Sequence, residues 1–170
     1  MPTPTEQEIR AFVGNNSGYY LSRWSAFLSG EGNESGFNVA AFLISGLWLP
    51  YRKMYKITLI FYGIIVAESI LEYILFVGIL NYEEPPVVLS NILGIALAMI
   101  CGVYGNRWYY SHTCNKIDRL RRLNLSEESL KQALRRCGGT SWFAAVGYLM
   151  MSLIVLMVTL GTIIVLLGLD

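Results

Sequence analysis

Charged residues are scarce in this chain, 15% of 170 positions, and histidine occurs once and cysteine three times. Each scarcity removes a class of function. One histidine and three cysteines, Cys101, Cys114 and Cys137, at spacings that match no zinc pattern, leave no ligand set for a metal. No nucleophile triad and no glycine-rich phosphate loop is legible, so an enzyme is not expected and no cofactor is implied. Residues 1–10 are polar and acidic, with no basic stretch leading into an apolar run, which argues against a cleaved secretory signal. The cysteines read as reduced structural thiols, Cys101 within an apolar run and the other two in a basic segment.

What fills the chain instead is apolar sequence, 54% hydrophobic residues with a mean hydropathy of +0.46, outside the usual range of soluble domains. The fold class expected is an all-α integral membrane protein with three transmembrane helices, at 57–80, 87–105 and 141–169. The last is long enough to tilt or to extend past the interface. Residues 37–50 are apolar for only about 14 positions, short of the ~20 a span needs, and are predicted to be re-entrant or interfacial. Four regions result: an amphipathic, cytoplasmic or interfacial N-terminal region at 1–36; a re-entrant segment and two spans at 37–105; a basic cytoplasmic helical loop at 106–140; and a third span at 141–170.

Local signals mark several elements. Thr5 with Glu8 three residues on forms a capping box ahead of Ile9, Phe12 and Val13, which share one helical face. Tyr19, Tyr20, Leu21, Trp24, Phe27 and Leu28 make a second aromatic amphipathic piece, predicted to lie in the headgroup zone with Arg23 on its polar side. A polar linker follows at 30–36, and the acidic turn 81–86 is stopped by Pro85 and Pro86. Ser126 as N-cap, Glu127 and Glu128 in the first turn, Arg135 and Arg136 in the last and Gly138 beyond define a helix within the basic loop. Trp142 and Tyr148 are expected to anchor the inner end of the third span. With three spans, all 13 lysines and arginines fall on one side, which the positive-inside rule makes cytoplasmic. The acidic turn and the C-terminal Asp170 are then periplasmic.

The most informative residues are Glu68 and Glu72, two carboxylates on one helix face inside the first span. Charge at that depth costs at least a few kcal/mol and by default marks a function or a polar contact between helices. Candidate partners are Asn91, Ser90 and Tyr62; the intramembrane polar site is taken as Glu68, Glu72 and Asn91. Ser90, Gly94, Ala98 and Gly102 form a small-residue ladder on the second span, predicted to be a close helix contact. Arg107 and His112 match an Arg-x4-His spacing found in HEPN ribonucleases, a weak signal without that fold around it. Arg52, Lys53, Lys56, Arg107, Arg119, Arg121 and Arg122 are candidates for contact with anionic lipid or an acidic cytoplasmic partner. Nucleic acid is not expected as a partner, since no binding fold for it is recognisable.

Tyr19-Tyr20-Leu21 and Trp24, then Phe37-Asn38-Val39-Ala40-Ala41-Phe42, Gly46-Leu47-Trp48, Tyr51-Arg52-Lys53-Met54-Tyr55 and Gly105-Asn106-Arg107-Trp108-Tyr109-Tyr110 resemble an uncharacterised bacterial inner-membrane family, classed as a domain of unknown function. The resemblance runs over roughly residues 8 to 120, with Val39 where an aromatic is expected after Phe37-Asn38. It implies a small multi-span protein of the bacterial cytoplasmic membrane. It supplies no reaction and no catalytic residues. The function expected is therefore non-enzymatic: a self-associating membrane protein, channel-like, with Glu68 and Glu72 facing a conduit. The alternative is a membrane-anchored scaffold whose basic face docks a cytoplasmic protein.

Overall fold

The computed structural model describes residues 3–32 and 35–167, so the expectation for Asp170 and the middle of the 30–36 linker lie outside the described residues. Every regular element among them is helical: α1 (Glu6–Val13), α2 (Ser17–Arg23), α3 (Ser25–Ser29), α4 (Val39–Leu43), α5 (Ser45–Tyr51), α6 (Tyr55–Glu72), α7 (Val87–Arg121), α8 (Glu127–Cys137) and α9 (Trp142–Leu167). After Glu72 the α6 helix widens into a π-helical stretch, Tyr73–Ile79. Three helices are long and apolar enough to cross a membrane: α6 with its π-helical end, α7, and α9. Segment 37–50 contributes none of them, because Ile44 breaks it into α4 and α5, which pack on α7 and α9 respectively.

The short helices and the polar half of α7 build a tightly packed head. Its core comprises Ile9, Phe12 and Val13 of α1, Tyr20 and Trp24, Ala41, Trp48, Leu49 and Met54, Tyr109 and Ile117 of α7, and Leu134 of α8. The α1 capping box forms as the sequence predicts, with Thr5 Oγ1 accepting from Glu8 N and Glu8 Oε2 accepting from Thr5 N at 2.7 Å. The α8 caps form too, Ser126 at the start and Gly138 at the end. The aromatic piece after α1 turns its large rings into the protein: Tyr20 and Trp24 are buried, and the Trp24 ring packs on Tyr20, Tyr109 and Tyr110 at 5.0, 5.5 and 5.4 Å. These rings add a large apolar area to the core of the head.

The helix of the second apolar run does not end at Gly105. The helix runs on to Arg121, 35 residues or about 52 Å, roughly 20 Å more than a hydrocarbon layer. Gly105, Tyr109, Thr113 and Ile117 are buried along it at four-residue intervals, so the first half of the supposed loop is the central rod of the head. Two further contacts fix the frame. Pro50 cannot donate to Gly46 O, and that freed carbonyl accepts instead from Tyr62 Oη at 2.9 Å, tying α5 to α6. At the end of α8, a Cβ on Gly138 would overlap the Phe12 carbonyl, which accepts from Gly139 N at 2.7 Å.

Candidate functional site

Two places concentrate polar chemistry in otherwise apolar surroundings. The first is the glutamate pair on α6. Glu68 lies near the middle of the apolar length of α6, and Glu72 one turn further on is buried, with Oε2 accepting from Ser90 Oγ on α7 at 2.7 Å. Glu68 Oε1 and Glu72 Oε1 are both buried without a partner. Of the candidate partners, Ser90 is the one the fold brings in. Asn91 is exposed, because it sits about 100° around α7 from Ser90, and Tyr62 is committed to Gly46.

The small-residue ladder divides. Gly102 accepts close packing, with Phe42 Cβ 3.0 Å from where its own Cβ would be and the Phe37 ring closer still, and its carbonyl receives Asn38 N at 2.8 Å. Gly94 is exposed and has nothing within 4 Å of that position, and Ala98 is half-buried. The in-chain contact thus moves down α7 to Gly102 and Gly105, where α4 crosses, and the half of the ladder nearest the glutamates is uncovered.

The second place is in the head, and its residues were quoted in the sequence as motif positions without a role. Asn106 is fully buried; its Nδ2 donates to the carbonyls of Ser35 and Gly36 at 2.9 and 3.1 Å, and its Oδ1 accepts from Asn38 Nδ2 at 2.8 Å. Asn38 Oδ1 in turn caps α4 through Ala41 N at 2.9 Å, and Trp24 Nε1 donates to Asn106 O at 3.0 Å. This network holds α2, the linker end and α4 against α7.

Beside it lies a cavity of ≈ 430 Å³ between α2 and the α4–α5 pair, with Arg52 among the residues that line it. Arg52, expected to be an exposed docking cation, is 4% exposed. Its guanidinium carbon lies over the rings of Tyr20, Tyr109 and Tyr51 at 4.8, 5.2 and 5.7 Å, and its Nε and Nη1 have no hydrogen-bond acceptor. Among the described residues no lining side chain is acidic, and Arg23 adds a second cation. The phenols do not supply a countercharge: burial pushes the Tyr109 hydroxyl up to about 12 and raises Tyr20, so both stay neutral. The Arg52 guanidinium lies beside the buried Tyr109 Oη.

Of the six remaining docking cations, three are engaged within the chain. Lys53, at a positive φ of 57°, turns its Nζ onto the carbonyls of Arg136 and Gly138 at the end of α8, where a cation complements the helix dipole. Arg121 grips Glu8 with Nε and Nη2, Nε at 2.7 Å, and Arg122 pairs with Asp118 at 2.8 Å. Lys56, Arg107 and Arg119 project outward. Arg107 and His112 are not brought together: Arg107 is exposed, while His112 packs on Phe12 and Tyr109, its Nε2 buried and unpartnered. Burial and Lys116 push its pKa down to about 4, so the ring is a neutral packing element. Trp142 and Tyr148 contact Tyr51 and Tyr55 at 4.8 and 5.5 Å. A larger groove of ≈ 670 Å³ between α1 and α8 is rimmed by the exposed Arg10, Lys131 and Arg135, and none of its lining groups is a buried orphan. The three cysteines are free, Cys101 buried and Cys137 exposed, and no metal-binding cluster occurs among the described residues.

No curated protein and no solved structure matches this chain. A family match covers residues 9–114, from the buried face of α1 through the Asn106 network to the middle of α7, and takes in the glutamate pair, Arg23 and Arg52. The chain belongs to the family described as "Protein of unknown function (DUF2628)".

Proposed function

We propose that this protein is a non-enzymatic, multi-pass protein of the bacterial inner membrane that self-associates through α6 and α7, with its basic head cytoplasmic. The observation that carries the proposal is the carboxyl pair: Glu68 Oε1 and Glu72 Oε1 are buried with no partner, on a helix apolar enough to cross a membrane. Two carboxyls at that depth are costly even where they share a hydrogen bond with each other, and a second copy packing on this face supplies a further partner once the Glu68 side chain turns outward. The uncovered Gly94 on the neighbouring helix gives the backbone clearance such an approach needs. Conduction is the form of this reading in which the carboxyls face a conduit between copies. The scaffold alternative has Lys56, Arg107 and Arg119 as exposed cations, whereas Arg52 is buried and Lys53, Arg121 and Arg122 are paired within the chain.

The test is the oligomeric state in nanodiscs, with Glu68→Gln and Glu68→Leu beside the wild type. Glutamine keeps hydrogen-bonding capacity and should leave assembly intact; leucine should weaken it by about 0.6 to 2 kcal/mol per lost interhelical hydrogen bond. A wild type that stays monomeric at every loading removes the proposal. Cation flux through wild-type proteoliposomes, lowered in the glutamine variant, separates a conduit from a plain helix contact. Orientation is read by labelling single cysteines at Glu83 and Asp118, the first reactive from the periplasm and the second protected; the reverse pattern inverts the topology.

A further inference from the structure

A buried guanidinium with no anion beside it among the described residues is an unusual thing to build into a core. Taking an arginine out of water is expensive unless its charge is matched and its five N–H donors are satisfied. Around Arg52 the matching is half done. The faces of Tyr20, Tyr51 and Tyr109 attract the cation, but a ring face does not accept hydrogen bonds in the guanidinium plane, and Nε and Nη1 lack acceptors. Among the described residues the surroundings hold no carboxylate: Arg23 lines the same cavity, and the Tyr109 hydroxyl beside Arg52 offers it a neutral acceptor and no charge.

The shape of the surroundings narrows the ligand. Around the cavity the chain exposes Phe37, Val39, Ile44 and Trp142, four large apolar side chains, and Trp142 opens a helix long and apolar enough to cross a membrane. An inner cationic lining with an apolar rim at the foot of a span suits a molecule with an anionic head and an apolar body. We infer that this cavity is a binding site for a phosphate ester, with Arg52 and Arg23 as its cationic contacts, and that an anionic phospholipid supplies the phosphate. Arginine suits the role because its planar fork engages two oxygens of one phosphate, which a lysine ammonium does not do. Nothing in this inference depends on self-association.

The test uses the full chain in an uncharged maltoside detergent, titrated with dioleoylphosphatidylglycerol, dioleoylglycerol, glycerol 3-phosphate and inorganic phosphate. Tryptophan emission is the readout, because Trp48 and Trp142 line the cavity. Dioleoylphosphatidylglycerol should give a saturable change that dioleoylglycerol does not. Arg52→Lys, which keeps the charge, should bind at least tenfold more weakly, and Arg23→Gln, at an exposed position that leaves the core intact, at least threefold more weakly. Glycerol 3-phosphate or inorganic phosphate binding as tightly as the lipid would retain the phosphate site and assign it a soluble source. The inference is overturned if dioleoylglycerol binds as well as dioleoylphosphatidylglycerol, if no probe saturates, or if folded Arg23→Gln matches the wild type for every probe. Each result is obtained on the monodisperse protein whatever its oligomeric state, so failure here and failure of self-association are separately visible.

Discussion

Replacing Asn106 by alanine tests whether one buried amide holds the head to α7. The substitution removes three side-chain hydrogen bonds, from Asn38 Nδ2 at 2.8 Å and to the carbonyls of Ser35 and Gly36 at 2.9 and 3.1 Å. A bond of this kind contributes about 0.5–1.5 kcal/mol net, and a buried group left without its partner costs about 1–3 kcal/mol. Gly36 is exposed, so its carbonyl recovers a bond from water, while Asn38 and Ser35 are buried and do not. The expected loss is therefore about 2–4 kcal/mol, read from denaturant or thermal unfolding in a mild detergent, against less than about 0.5 kcal/mol for the exposed Asn115→Ala. Asn38→Ala should cost about 1–3 kcal/mol, since it also removes the α4 cap. Because both variants delete the same Asn38–Asn106 bond, the double variant should cost about 1 kcal/mol less than the two losses added. An Asn106→Ala protein as stable as the Asn115→Ala control, or strict additivity in the cycle, would refute the reasoning.

Gly94→Leu and Gly102→Leu should behave oppositely. Gly94 has open space around it and should leave the monomer's stability within about 0.5 kcal/mol while weakening assembly, whereas Gly102→Leu meets Phe37 and Phe42 and should cost about 1–3 kcal/mol in the head; equal effects on both readouts would count against the division of the ladder. A pH dependence is expected from Glu8. Burial works to raise its pKa, but the bonds from Arg121 and Thr5 outweigh this and hold it below the ordinary value of 4.5. The unfolded chain therefore takes up the proton first, and the stability this carboxylate contributes is complete above about pH 4.5 and lost as pH falls through the lower folded value. The thermal midpoint of the wild type should exceed that of Glu8→Gln at neutral pH and converge with it in acid; a constant gap from neutrality to pH 3 would contradict the assignment.

The parts of this fold that were legible in sequence are those whose cause is local. A capping box, a helix with acids at its start and bases at its end, and apolar runs of spanning length each lie within a few turns of chain, and all of them form. The continuation of the helix past Gly105 was missed for a local reason too: polar residues there suggested a loop, although Gly105, Tyr109, Thr113 and Ile117 at four-residue spacing continue the buried stripe of Cys101. Weighing that period over the polarity of the intervening residues would have found the rod.

The burial of Arg52 had no such signal. In sequence it is one cation of a basic, aromatic cluster next to a span, indistinguishable from Lys53 and Lys56, and a surface location follows from the positive-inside rule alone. What separates the three is long-range. Two of the rings over Arg52 belong to residues 20 and 109, brought to one point where α2 is held on α7 by Trp24 Nε1 on the Asn106 carbonyl and α4 by the Asn38–Asn106 pair. Lys53 is turned the other way by its positive φ and spent on the end of α8, and Lys56 is left outside. The same amide network that fixes the head therefore also creates the cavity, so loosening Asn106 should open the wall of rings around Arg52. Conversely, an arginine left with two bare donors at the foot of a spanning helix marks the place where the packed head has chemistry to spare.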